Sequence, residues 1–175
     1  GSTVIAGGNG KFSSTSKRGA FAIKLDETTT ASNSSVGNAV KAFKQYTSNN
    51  TTKLDDLTAN SGGYTFTGEN TNNNNLLSFQ VTTNLSNINW NQVMGGGSTD
   101  FGNAVIKNNG GGFLSVGKSQ SSDFGGDNFF LTRLSSSGAS CCGSQVRLTT
   151  RNLTASGTVN GDGNLSNSTF KTAQS

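Results

Sequence analysis

Short strand-like runs bounded by glycine, asparagine and serine fill the middle of the chain, and this pattern restricts it to a β fold. Four of them follow one another between Ile88 and Gly138, and they are rich in β-branched and aromatic residues. Such runs between turn-forming residues predict β-strands. They cover residues 89–93, 103–107, 112–116 and 128–134. In the last run apolar residues occupy both alternating sets of positions, which predicts a strand covered on both faces.

The turn between the second and third runs occurs twice in the sequence. Residues 108–111 read Asn-Asn-Gly-Gly, and these residue types adopt the positive φ that tight hairpin turns require. Residues 60–68 repeat the pattern of residues 109–117 at an offset of 49 residues. Weaker matches to the same pattern lie near both ends, at residues 3–26 and 153–171. The sequence therefore predicts a degenerate repeat of short antiparallel strands.

The composition favours a folded all-β chain with polar loops. Hydrophobic residues make up 30% and charged residues only 13%, so polarity comes from Asn, Ser, Thr and 24 Gly. Disordered chains of low hydrophobicity usually carry a high net charge, whereas this chain carries +4 and has 11 Phe to build a core. Its basic residues are dispersed, which excludes the clustered basic face of a nucleic-acid-binding protein.

Residues 88–138 resemble the repeats of secreted bacterial β-propeller proteins. In those repeats a Trp-containing strand leads to a Gly-Gly-x-x-x-Asp-x-Gly turn, a Gly-Gly-aromatic hairpin and an Asp-x-Phe strand. The matching residues here are Trp90, Gly96 to Gly102, Gly111-Gly112-Phe113 and Asp127 to Leu134. The resemblance implies a propeller scaffold at the cell exterior and no particular activity.

A single all-β domain is expected over residues 1–175, with repeat units at about 1–50, 51–100, 101–145 and 146–175. Residues 27–57 fit the repeat worst and are interpreted as an insertion. Within them, apolar residues at 39, 40, 43 and 46 are compatible with a short helix or a strand. A complete propeller takes four or more blades, so the alternative is a β-sandwich completed by a neighbouring chain's strand.

The residues of a catalytic or metal site are sparse. The chain has no His, which removes the commonest general base and most zinc sites. It has no Gly-x-Ser-x-Gly sequence, and its nine carboxylates are scattered. Residues 160–164 alternate Asn, Gly and Asp but form a turn more readily than a calcium loop. No enzyme, metal or cofactor is expected, and a carbohydrate-active enzyme is the least favoured function.

Two features depend on the compartment. Cys141 and Cys142 are adjacent, and they are compatible with a strained vicinal disulfide, links to other chains or a pair of thiols. An oxidised state is favoured outside the cell. Seven glycosylation sequons are present in this Asn-rich chain. They begin at Asn33, Asn49, Asn50, Asn84, Asn152, Asn164 and Asn167.

These observations favour a non-catalytic extracellular or cell-surface adhesion module that binds protein or carbohydrate. The aromatics able to face such a partner are Trp90, Tyr64, Phe101 and Phe124. The alternative is a filament subunit that self-associates by β-strand addition. The sequence has no apolar run long enough to span a bilayer, and residues 1–6 are not expected to be a targeting segment. Gly1-Ser2 is either native or left by tag removal.

Overall fold

The computed structural model describes residues 3–11, 18–26, 40–49, 51–71, 74–121, 126–141, 143–145 and 147–153. This part of the chain forms three antiparallel sheets and contains no helix. Sheet A is β1 (Thr3–Gly10), β2 (Gly19–Asp26), β3 (Val40–Thr47) and β11 (Thr149–Asn152). Sheet B is β4 (Thr52–Asn60), β5 (Gly63–Asn70), β6 (Asn75–Val81) and β7 (Ile88–Met94). Sheet C is β8 (Asp100–Lys107), β9 (Phe113–Ser119) and β10 (Asn128–Leu134). The predicted all-β class is confirmed.

The four strands predicted between Ile88 and Gly138 are present as β7, β8, β9 and β10. The segment that was compatible with a helix or a strand forms the strand β3, which pairs with β2 on one side and β11 on the other. Its Tyr46 is fully buried, and the hydroxyl donates a hydrogen bond to the carbonyl of Leu85 at 2.9 Å. This burial raises the pKa of Tyr46. Sheet pairing therefore overrides the helix-like spacing of the apolar residues.

Sheet B lies between the other two sheets, and one of its faces packs on sheet A. The rings of Phe66 and Phe79 stack with their centroids 5.0 Å apart, and the ring of Tyr46 lies 5.3 Å from that of Phe79. Leu77, Val81 and neighbouring residues extend this cluster around Ala20 and Ala22 of β2. Three of the four largest fully buried side chains, Tyr46, Phe66 and Phe79, lie here, so the contact between sheets A and B holds the main core.

The other face of sheet B packs on sheet C through a smaller and more polar contact. Its apolar part consists of Leu76, Trp90, Met94, Val105, Phe113 and Leu134. Beside it, the buried hydroxyls of Thr67 and Ser115 lie 2.8 Å apart and form a hydrogen bond between the sheets. The backbones of neighbouring sheets approach each other most closely at β4 and β8: β4 lies against β1 and β2, and β8 lies against β4, β5 and β6. The sheets thus stack in the order A, B, C.

The predicted 49-residue offset corresponds to a shared structural detail in sheets B and C. Gly68 of β5 lies opposite a bulge in β4, and Gly117 of β9 lies opposite a bulge in β8. A Cβ atom on either glycine would overlap a backbone carbonyl oxygen of the bulged strand, that of Lys53 or Phe101. Only glycine allows the two backbones to approach this closely. The repeated glycine therefore permits the bulge in both hairpins.

The three sheets differ in the origin of their fourth strand. In sheet B the fourth strand, β7, directly follows β6 in the chain. In sheet A it is β11, which pairs with β3 across about 100 residues of sequence, as in the Thr149–Thr47 hydrogen bond at 3.0 Å. Sheet C has three strands among the described residues, and β10 forms its edge. After β10, a return segment (residues 135–148) leads across the outer edge of sheet B, where Ser144 pairs with Val93.

Candidate functional site

A cleft of about 710 Å³ runs along the edge of β10. Five consecutive residues of this strand, 128–132, line it, together with Met94, Gly95 and Cys141. Successive side chains of a strand point to opposite faces of a sheet, so a wall of consecutive residues belongs to a strand edge. The cleft therefore occupies the side of sheet C where sheets A and B each have a fourth strand.

Large apolar side chains border this cleft on the outer side of sheet C. Phe129 is 77% exposed and Leu131 is 56% exposed, whereas Phe130 packs inward toward sheet B and Thr132 is buried. The prediction that both faces of this strand are covered is wrong for the outer face. Its physical reason is that sheet C is the last sheet of the stack, so its outer face has no sheet packed on it among the described residues.

The sequence explains why none of the described residues forms a fourth strand along β10. β6 and β10 have the same length and the same register against their partners, at an offset of 53 residues. The same offset relates β7 to residues 141–147, where Gly143 takes the place of Trp90. A strand there would lack the indole that anchors β7 in the core. The described residues of that segment lie instead in the return segment, with Ser144 on β7.

A buried carboxylate supports the end of the cleft nearest sheet B. Asp100 is fully buried, and its Oδ2 accepts hydrogen bonds from the backbone N–H of Gly96 at 2.9 Å and from the hydroxyl of Ser121 at 2.7 Å. Its backbone N–H also donates to the carbonyl of Asn74. These contacts join the turn after β7 to the start of β8 and the end of β9. Asp100 therefore holds the wall of the cleft in place through hydrogen bonds to the turn that follows β7.

The start of β10 carries an exposed electrostatic contact. The ammonium of Lys118 forms an ion pair with Asp127, whose second carboxylate oxygen accepts a hydrogen bond from the Gln120 amide at 2.7 Å. The Lys118 hydrogen bond and then the Gln120 hydrogen bond lower the pKa of Asp127. The Lys118 ammonium also lies 5.7 Å from the centre of the Phe101 ring. This end of the outer face is therefore polar, and its centre is apolar.

The structure separates the aromatic residues that the sequence offered as ligand contacts. Trp90 is 7% exposed and packs against Phe113 in the core between sheets B and C, so it does not face a partner. Tyr64 is half-buried against the core between sheets A and B. Phe101 is half-buried on the outer face of sheet C, close to the candidate site. Phe124 lies outside the described residues.

The predicted disulfide and glycosylation residues are only partly described. Cys141 is exposed at the cleft, and Cys142 lies outside the described residues. Three sequon residues, Asn49, Asn84 and Asn152, are exposed. The amide oxygen of Asn84 accepts hydrogen bonds within its own turn, and that of Asn152 accepts one from Lys44. The remaining sequon residues, Asn33, Asn50, Asn164 and Asn167, and the turn at 160–164 lie outside the described part of the chain.

Sequence reasoning did not select Phe129, Leu131 or Ile106, the exposed apolar residues of sheet C. The signal that could have identified this edge is the glycine found 53 residues after Trp90, because it stands where a fourth strand like β7 would carry its tryptophan. Over the described ranges, the structure contains no group of three or more Cys, Asp or Glu side chains placed to hold a metal ion. The same ranges contain no helix that could cross a membrane.

A comparison of the sequence with protein-family models and with curated proteins gives no match. The candidate site is therefore defined by its geometry alone.

Proposed function

We propose that this chain is a non-catalytic extracellular binding module that takes an extended segment of a protein partner as the fourth strand of sheet C. The observation that carries the proposal is the cleft along β10, at the position filled by β7 in sheet B and by β11 in sheet A. An added strand gains main-chain hydrogen bonds from the edge and specificity from pockets for alternate side chains. Sheet A supports the idea, because its own edge accepts a strand distant in sequence.

The comparison with sheet B indicates which side chains the partner's strand should carry. In the matching strand of sheet B, Trp90 packs on Phe113 of sheet C, and the segment of matching register in this unit has Gly143 instead. Trp90 lies opposite Gln80, and the equivalent of Gln80 in β10 is Arg133, so this position of an added strand lies on the outer face of sheet C. The added strand is therefore expected to carry a large aromatic side chain there, which covers the exposed Leu131. Buried aromatic anchors commonly dominate binding energy. The exposed side chains of Phe129 and Leu131 offer further apolar contact on the outer face.

A peptide with the sequence of β7, residues 88–94, provides a direct test. The intact chain is expected to bind this peptide, and replacing the tryptophan of the peptide by glycine should weaken binding about thirtyfold. Phe129→Lys places a charge at the edge and should abolish binding, since edge lysines oppose strand pairing. Isothermal titration calorimetry measures all three. Asn109→Lys, which adds the same charge at an exposed turn, is the matched control and should bind as the native chain does.

Two outcomes contradict the proposal. The first is that the native chain does not bind the β7 peptide. The second is that Phe129→Lys and Asn109→Lys bind it equally well, because binding would then not use the edge of β10.

The propeller-like arrangement and the compartment belong to the same proposal. Each of the three sheets contains a meander of consecutive strands, and the first strands β1, β4 and β8 lie next to one another along the stack. Blades of a propeller are small antiparallel sheets that bury their faces against neighbouring blades. This stacking supports a propeller-like scaffold, and the resemblance of residues 88–138 to secreted repeats supports a location outside the cell.

A further inference from the structure

The large apolar side chains that are exposed in the described part of the chain lie at the two ends of the stack. They are Val4 in β1 of sheet A, and Ile106, Phe129 and Leu131 in sheet C. Sheet B, in the middle, contributes none of them. Exposed apolar residues that cluster on one face indicate an interaction surface. Each end of the stack is therefore a candidate surface for association.

All four side chains point away from sheet B. Ile5 packs in the core between sheets A and B, so its neighbour Val4 points to the opposite face of sheet A. Val105 packs in the core between sheets B and C, so Ile106 points outward. Phe130 packs toward sheet B, so its neighbours Phe129 and Leu131 also point outward. Sheet C therefore presents Ile106, Phe129 and Leu131 outward, and sheet A presents Val4 on a face where Phe43 and Leu153 form a buried cluster.

The internal contacts show which kind of surface fits the outer face of sheet C. Sheets B and C each place their first strand against the preceding sheet, as β4 does on sheet A and β8 does on sheet B. Thr67 lies on the face of sheet B that receives β8. Its equivalent at the 49-residue offset is Val116, which lies on the outer face of sheet C because its neighbour Ser115 points toward sheet B. The outer face is thus the structural equivalent of a face that already receives the first strand of the next sheet.

We propose that a second copy of this chain docks its β1 on the outer face of sheet C, so that copies associate head to tail. The contact continues the stacking of sheets A, B and C, and it brings Val4 of one copy to Ile106 of the next. A contact between two different surfaces of the same chain closes into a ring or grows into a filament, depending on the rotation between copies. Phe129 and Leu131 belong both to this outer face and to the cleft along β10, whereas Ile106 belongs to the outer face alone, so a substitution at Ile106 separates self-association from strand addition.

Sedimentation velocity over a range of protein concentrations tests the surface. The native chain should associate as concentration rises, and Ile106→Lys should weaken the association constant at least about tenfold because it buries a charge in an apolar contact. Ile106 is 58% exposed, so the variant is expected to fold. Asn109→Lys at the nearby turn should associate as the native chain does. Binding of the β7 peptide should survive in Ile106→Lys, which separates self-association from strand addition.

Cysteine cross-linking tests the orientation. In a chain whose Cys141 and Cys142 are replaced by Ser, the pair Val4→Cys and Ile106→Cys should give a ladder of covalent oligomers on mild oxidation. Mixing the two single-cysteine variants should give a mixed dimer. A native chain that stays monomeric at every concentration overturns the proposal. Association with cross-links only between Ile106→Cys copies also overturns it, because that result shows two sheet C faces packed on each other.

Discussion

Replacing Gly117 by alanine should lower the free energy of unfolding by about 3 kcal/mol. A Cβ atom at this position would overlap the carbonyl oxygen of Phe101, which belongs to the backbone of the paired strand and cannot rotate away. The chain must then separate β8 from β9 at the bulge and lose part of their pairing. Chemical denaturation with urea measures the change, and a loss of this size is expected to lower the melting temperature by about 10 °C.

Gly110→Ala is the matched control in the same hairpin. The nearest atom to an added Cβ at Gly110 is the Asn108 amide nitrogen at 3.8 Å, an ordinary contact distance. This substitution should change the free energy of unfolding by less than about 0.5 kcal/mol. Equal effects of Gly117→Ala and Gly110→Ala would show that the bulge does not depend on close approach at Gly117. The role assigned to the repeated glycine, including its equivalent Gly68, would then be wrong.

Phe79→Ala should cost about 4 kcal/mol of folding free energy, more than Gly117→Ala. Phe79 is 1% exposed, stacks on Phe66 and contacts Tyr46, so its removal leaves a cavity in the main core. The same substitution at Phe129, which is 77% exposed, should change stability by less than about 0.5 kcal/mol. Urea denaturation of the two variants gives both values under the same conditions.

The comparison of these two phenylalanines also tests the assignment of the site. If Phe129→Ala destabilises the chain as much as Phe79→Ala does, then Phe129 is covered in solution and is not a binding residue. If Phe129→Ala leaves stability unchanged but weakens binding of the β7 peptide, then its exposed ring serves recognition. We expect the second result.

The features that sequence predicted correctly are local. Strand runs and their turns depend on residues close together in the chain, so the hairpin at Asn108 to Gly111 and its repeat at residues 60–63 follow from the order of the amino acids alone. The apolar spacing around Phe43 allowed a helix or a strand, and pairing of β3 with β2 and β11 selected the strand. That choice required knowledge of neighbours in space.

The features that sequence did not predict depend on the order of the sheets. Phe129 and Trp90 are both aromatic residues in short strands, and nothing local distinguishes the exposed one from the buried one. Trp90 is buried because its indole packs on Phe113 of sheet C and against Gly138 of the return segment, whereas Phe129 is exposed because sheet C ends the described stack. The pairing of β11 with β3 across about 100 residues also could not be predicted from the local sequence. Contacts between residues far apart in sequence decide all three.

Hydrogen–deuterium exchange at the backbone amides of Phe129 to Leu134 tests the central claim most directly. In the free chain the amides of β10 that point away from β9 should exchange quickly, since no strand pairs with them among the described residues. Addition of the β7 peptide should slow the exchange of those amides and leave the exchange of the β4 amides unchanged. Slow exchange along the outer edge of β10 in the free chain, or no change when the peptide is added, would contradict an open edge that receives a partner's strand.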